Sequence, residues 1–267
     1  MASLSKHRLR VQDYLDLKEE LRSRIIRLVP EIVRSAYFYG SIVTGDVSPG
    51  LSDPDVYVVL KTENSELRTH LLRSLFRELW DLTVHPIYNR VWGVHWIHFD
   101  TDANVNRTLS KPLALLTFLH RSEFIAGSKL VFPKPDYDDI LKWMREFMAP
   151  ADERKQLEEW LLSPRVVQGP KGLFYLLDST IFHLGAWVAI ASQKFPRTHS
   201  ESYRWLIDAV PTSRDFVEKI ARIRENWYEN EDFERILDVY LEGIERIPEI
   251  ENQLVKRLTN SKIARKS

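Results

Sequence analysis

The chain has 267 residues, 44% of them hydrophobic and 28% charged, a globular balance that at roughly 150 residues per domain allows one large domain or two modest ones. Lys plus Arg equals Asp plus Glu at 38 each, so the basic surplus with which proteins normally hold long nucleic acid is absent. The lack of any cysteine excludes disulfides, thiolate nucleophiles, Cys-based zinc sites and iron–sulfur clusters.

In chain order, Met1-Ala2-Ser3-Leu4-Ser5-Lys6 leads into a charged segment without the apolar stretch that secretion needs, so a cytoplasmic setting is expected. Tyr14, Leu17, Leu21, Ile25 and Leu28 recur at helical spacing and predict an amphipathic helix over Asp13–Leu28, ending before Pro30. Ser35–Tyr39 and Val56–Leu60 read as strands, separated by turn chemistry from Val47 to Ser52. A helix is expected over Leu67–Leu82, a third strand over Arg90–Phe99 and a short fourth over Lys129–Phe132, closed by Pro133 and Pro135. The remainder reads as helices at about Tyr137–Met148, Ala151–Leu162, Lys171–Gln193, Ser200–Val210, Ser213–Trp227 and Asp232–Leu258, the last kinked or broken by Pro248. Gly172–Ala191 is nearly long and apolar enough to span a bilayer, but Asp178, His183 and its small residues argue for the central helix of a bundle and against a membrane partner. An α+β chain is therefore expected, with a mixed α/β domain over 1–135 and a helical bundle over 136–267.

The most informative stretch is Tyr39-Gly40-Ser41-Ile42-Val43-Thr44-Gly45, followed by Leu51-Ser52-Asp53-Pro54-Asp55 and the apolar strand. A strand ending in Gly-Ser and passing into a helix-like turn brings backbone N–H groups and a hydroxyl close to a phosphate. Asp53 and Asp55 stand two apart at a strand start, so both side chains point to one face at about 6–7 Å spacing. Two such carboxylates call for a cation, and an oxygen-only donor set beside phosphates suits Mg²⁺ or Mn²⁺. Either half alone is ordinary turn chemistry. Together, in this order and between strands, they describe a machine for moving a nucleotidyl group.

This stretch resembles the signature of the DNA polymerase β-like nucleotidyltransferase superfamily, in which a Gly-Ser strand end precedes an Asp-x-Asp pair and an apolar strand. A looser likeness, to the kanamycin (aminoglycoside) nucleotidyltransferase branch, extends through Trp92-Gly93-Val94-His95-Trp96-Ile97-His98-Phe99-Asp100, through Val167-Gln168-Gly169-Pro170 before a long apolar helix, and through the α/β-then-helical layout. The resemblance implies a small mixed sheet joined to a helical bundle that holds the acceptor. It also implies use of Mg²⁺ and a nucleoside triphosphate, with ATP expected, and commonly a homodimer. Gly40 and Ser41 would bind nucleotide, and Asp53 and Asp55 would hold metal and act in catalysis. The superfamily usually adds a third carboxylate from the later strand, for which Asp100 is the candidate. His95 and His98, three apart on a strand, lie on opposite faces and cannot replace it jointly.

The same branch places a Glu base on the helix before the Val-Gln-Gly-Pro-like turn, where this chain has Glu158 and Glu159, either of them equally readable as a solvated charge. Arg165 and Lys171 flank the turn as candidate triphosphate contacts or surface cations. Asp178 and His183 read as satisfied polar groups of the bundle. The expected reaction is NMP transfer from an NTP to a hydroxyl of a small molecule. The alternatives are a degenerate nucleotide-binding module, antitoxin-like, and transfer to a protein side chain or an RNA end.

Overall fold

The first helix, α1 (Val11–Leu28), buries Tyr14, Leu17, Leu21, Ile25 and Leu28 on one stripe, the spacing its sequence predicts. The computed structural model describes residues 8–61, 65–85, 87, 97–147 and 169–263. After α1 come β1 (Val33–Tyr39), a single helical turn α2 (Ser41–Thr44), β2 (Asp55–Leu60) and α3 (Ser65–Leu79), which runs into a 3-10 turn over Trp80–Val84. Then follow β3 (Ile97–Thr101), α4 (Asp102–Leu109), α5 (Pro112–Arg121) and β4 (Ser122–Gly127).

The strands form one mixed four-stranded sheet in the order β3-β2-β1-β4. β1 pairs antiparallel with β2 and with β4, whereas β2 and β3 run parallel. One sheet face carries Tyr37, Tyr57 and Val59 beneath Val105 and Leu109 of α4 and Phe118 of α5, with Phe124, Leu130 and Phe132 at the margin. On the other face Phe38 is buried, with Lys18 and Arg22 of α1 lying over its ring and both bonded to Glu123 of β4.

One sequence expectation fails here. The run Lys129–Phe132 is not a strand; the fourth strand is Ser122–Gly127. Leu130 and Phe132 instead pack as loop residues on the aromatic cluster, and the intervening Val131 is 93% exposed. The register of β1 decides this, because Tyr39, Phe38 and Tyr37 take Ser122, Glu123 and Phe124 as partners. The third strand begins at Ile97 and ends at Thr101, while the expected residues 90–96 lie outside the described residues.

The chain clusters into two compact units, Met1–Lys134 and Pro135–Ser267. The second is helical: α6 (Tyr137–Phe147), α7 (Pro170–Ala191), α8 (His199–Ala209), α9 (Arg214–Glu225), the short α10 (Trp227–Asn230) and α11 (Phe233–Ile263). The expected helix over 151–162 lies outside the described residues. α7 is long and apolar enough to cross a membrane, yet 72% of its most apolar window is buried inside the protein. α11 runs on through Pro248. Burial of Ile244 and Ile247 before the proline and Ile250 and Leu254 after it offsets the roughly 3 kcal/mol that a mid-helix proline costs.

Candidate active site

The Gly-Ser turn and the acidic pair meet at one end of the sheet. β1 ends at Tyr39, which stands opposite Asp55, the first residue of β2. Gly40 adopts φ 78° and ψ −148° and turns the chain into α2, a conformation that L side chains avoid. A Cβ on Gly40 would lie 2.9 Å from Oδ2 of Asp55. Glycine at this position therefore does two things: it permits the turn, and it leaves the space that the Asp55 carboxylate occupies. α2 starts at Ser41, and the first amides of a helical turn have no acceptor one full turn back, although the Val43 N–H donates to the Gly40 carbonyl at 3.2 Å.

Asp53 is presented by a loop fixed from two sides. Its own Ser48 and Ser52 close it, with the Ser48 N–H donating to Ser52 Oγ at 2.8 Å and the Ser52 N–H to the Ser48 carbonyl at 2.9 Å. The Gly50 N–H donates to the Tyr14 hydroxyl of α1 at 2.9 Å. Desolvation pushes the Asp55 carboxyl well above the usual carboxylate range, and the negative charge of Asp53 pushes it further. The Arg121 guanidinium pulls in the opposite direction.

Arg121 is the residue that the sequence reading missed. It is the last residue of α5, it is buried, and its carbonyl accepts a hydrogen bond from the Gly40 N–H at 3.0 Å. The next residue, Ser122, pairs with Tyr39, so Arg121 is tied by backbone to the row that holds Asp55. In the sequence it stands in His120-Arg121-Ser122 at the end of a helix, where a cation is favoured by the helix dipole alone. Only the apolar character of the preceding helix hinted at burial.

Asp100 is not brought to the pair. In the parallel register it stands opposite Val59, four positions along β2 from Asp55, or roughly 13 Å at the usual rise per residue. Its Oδ2 accepts from the Tyr57 hydroxyl at 2.8 Å and from Thr108 Oγ1 at 2.5 Å, and its Oδ1 from the Thr101 N–H at 3.1 Å. Asp100 is thus a buried anchor between β3 and α4, and burial together with this bond raises the Tyr57 phenol so that it stays a donor. Among the described residues no group of three or more His, Cys, Asp or Glu is arranged to hold a metal ion. His98 is exposed on the same sheet face as Asp55, its ring 5.7 Å from that of Tyr39.

In the helical unit Lys171 sits in the first turn of α7, after Gly169 at φ 111° and Pro170. Glu158, Glu159, Arg165 and His95 lie outside the described residues. Asp178 is a satisfied polar group of the bundle, as the sequence suggests: its Oδ2 accepts from Arg224 Nη1 at 2.6 Å and its Oδ1 from the Tyr203 hydroxyl. His199 Nε2 stands 3.4 Å from the same carboxylate.

Residues 18–102 match the family model described as a nucleotidyltransferase domain. The segment that brings the Gly-Ser turn to the acidic pair is a nucleotidyltransferase domain, and the protein is a transferase of that class. No curated protein sequence matches the chain significantly. Among solved structures, spectinomycin adenyltransferase from Enterococcus faecialis, determined with ATP and spectinomycin, is similar over 92% of this chain and 99% of its own, with a TM-score of 0.46 and 11% identity.

Proposed function

We propose that the protein is a divalent-metal-dependent nucleotidyltransferase that moves a nucleoside monophosphate from a nucleoside triphosphate, with ATP the first to test, onto a hydroxyl of a small molecule. The observation that carries this reading is the carboxylate pair at the Gly40 turn. Asp53 and Asp55 repel each other, and the absent side chain of Gly40 leaves Asp55 Oδ2 its place. Such an oxygen-only, mutually repelling pair fits Mg²⁺ or Mn²⁺ well, because the ion relieves the repulsion that the fold maintains. When bound, the ion would be held by Asp53 and Asp55 and would supply charge stabilisation at the α-phosphoryl group.

The chain's own groups do the rest. The start of α2 and the Ser41 hydroxyl donate to phosphate oxygens, which orients the triphosphate for in-line displacement. The acceptor oxygen bonds to the α-phosphorus as the bond to the bridging oxygen breaks, and pyrophosphate leaves. The acceptor proton passes to a base, for which Glu158 or Glu159 is proposed. Zero net charge supports a small acceptor over a long nucleic acid. A second reading, a nucleotide-binding module without turnover, draws on the engagement of Asp100 with Tyr57 and Thr108.

The test is incubation with labelled NTPs, Mg²⁺ or Mn²⁺ and a panel of hydroxyl acceptors, beside an Asp53→Asn/Asp55→Asn variant. Loss of transfer by about 10²–10³-fold or more in the variant is expected. Nucleotide binding with no pyrophosphate release under any condition would favour the second reading. Full activity in the double variant would show that the site is elsewhere.

A further inference from the structure

We infer that Tyr14 of α1 is a positioning residue for the Asp53/Asp55 pair: its buried hydroxyl ties the loop that carries Asp53 to α1 and so sets where that carboxylate stands relative to Asp55. The inference rests on the nucleotidyltransferase reading above and names what keeps the proposed metal site in register.

The two acids are held by different means. Asp55 is the first residue of β2 and is paired with Tyr39, so the sheet places its backbone. Asp53 precedes the strand and follows a loop that closes on itself. The Leu51 and Ser52 N–H groups donate to the Ser48 carbonyl at 3.0 and 2.9 Å, and the Ser48 N–H donates to Ser52 Oγ at 2.8 Å. Ser48, Leu51 and Ser52 are all buried, so this stretch forms one piece. Tyr14 fixes where the piece sits: the Gly50 N–H, also buried, donates to its hydroxyl at 2.9 Å across 36 residues of chain. Pro54 then holds the backbone of Asp53 extended, which passes the placement of the loop on to that carboxylate.

The identity of residue 14 suits this task. The rest of the buried stripe of α1 is Leu17, Leu21, Ile25 and Leu28, side chains that fill a core without bringing a polar group into it. Tyr14 is 1% exposed, and a buried phenol needs a hydrogen-bond partner, which Gly50 supplies. A ring packed in the core makes its hydroxyl a fixed point. The same helix packs on α2, the turn that begins at Ser41. α1 thus backs both halves of the proposed site, the Gly-Ser turn and the Asp53 loop. Tyr14 precedes residues 18–102, the nucleotidyltransferase segment, so the site draws on a residue outside that segment. It acts through the loop backbone, which makes it a positioning and not a catalytic residue.

The experiment pairs a Mn²⁺ titration of the full chain, read by electron paramagnetic resonance, with amide hydrogen exchange of the metal-free protein. Tyr14→Phe keeps the ring and removes the acceptor. Its Mn²⁺ affinity is expected to fall about tenfold or more, the scale of losing a partner behind a metal ligand, and its Gly50 amide to exchange faster than in the wild type. Leu21→Ala, two turns along the same buried stripe, is the control: it lowers the melting temperature through lost packing and leaves the Mn²⁺ affinity of the folded protein at the wild-type value. A folded Tyr14→Phe with wild-type Mn²⁺ affinity overturns the inference and leaves the nucleotidyltransferase reading standing. An equal loss of affinity in Leu21→Ala does the same, because the effect is then one of stability alone. Should Tyr14→Phe not fold, the wild type decides: a Gly50 amide that exchanges at the rate of an unfolded chain overturns the inference, and protection matching that of the Leu21 amide supports it. No Mn²⁺ binding that depends on Asp53 and Asp55 removes both the inference and the reading beneath it.

Discussion

Each unit of this protein withdraws a carboxylate from water, Asp178 fully and Asp55 in part, and the two are treated in opposite ways. In the helical unit, Asp178 is 3% exposed and fully engaged, by Arg224 from α9 and by Tyr203 and His199 from α8. In the sheet unit, Asp55 is crowded by Asp53 and faces one cation, Arg121. A buried charge whose lone pairs are all met joins helices, and its removal costs stability. A carboxylate pair whose members repel each other is a poor structural device and suits a cation. The contrast separates an acid that serves the fold from one that the proposed function assigns to chemistry.

The comparison can be broken by treating both acids alike. Asp178→Asn strands the Arg224 charge among three helices and should cost about 3–5 kcal/mol, seen as a lowered denaturation midpoint; an unchanged midpoint would mean that the Asp178–Arg224 pair is not structural. Gly40→Ala should come next. It forces a side chain into φ 78° and against Asp55 Oδ2, at roughly 1–3 kcal/mol, with nucleotide transfer reduced at least as much as stability. Wild-type transfer in Gly40→Ala would show that the close approach to Asp55 is unimportant.

Asp55→Asn should go the other way and raise the stability of the metal-free protein at neutral pH, by less than the losses above. The sign follows from the raised carboxyl: an acid harder to ionise in the folded state costs stability once pH rises above its unfolded value of 3.8, and costs nothing below it. Thermal melts from pH 3 to pH 8, spanning the ionisation of ordinary carboxylates, should therefore show the gain opening with rising pH. A loss at pH 7, where an unperturbed carboxyl is ionised, would place Asp55 with Asp178 as a structural acid. The smallest effect belongs to Glu123. Burial opposes its ionisation, but hydrogen bonds from Lys18 and Arg22 outweigh this and lower the carboxyl below its ordinary 4.5. Its contribution is present above that value and fades as pH falls through the lowered one. Glu123 is 37% exposed, so Glu123→Gln should cost less than about 1 kcal/mol at neutral pH and flatten the acid limb of the melt profile. An acid limb identical to that of the wild type would show that the contact contributes nothing.

Local signals made much of the fold legible. The stripe of Tyr14, Leu17, Leu21, Ile25 and Leu28 is a helix because its period is that of a helix, and it is buried for the same reason. Val56–Leu60 reads as a buried strand and is the centre of the sheet, flanked on both sides. Asp178 and its apolar helix could be assigned to a bundle because a lone acid in such a helix needs a partner nearby. Where local pattern and pairing disagree, as between Lys129–Phe132 and Ser122–Gly127, the sequence alone points to the wrong segment, since strand partners are chosen by a neighbour distant in the chain.

Residue order by itself therefore determined the α+β class, the helical second half, and the Gly40-Ser41 and Asp53/Asp55 pieces of the proposed site, because each is a contiguous pattern with its own geometry. Tertiary structure alone decided what surrounds them. It set Asp55 against the bare Cα of Gly40, tied Asp100 to Tyr57 and Thr108, and brought Arg121 to the acidic pair. The reason is physical: charges interact through space, and strand register and the α5–β4 junction, which no local period encodes, determine which charges share that space.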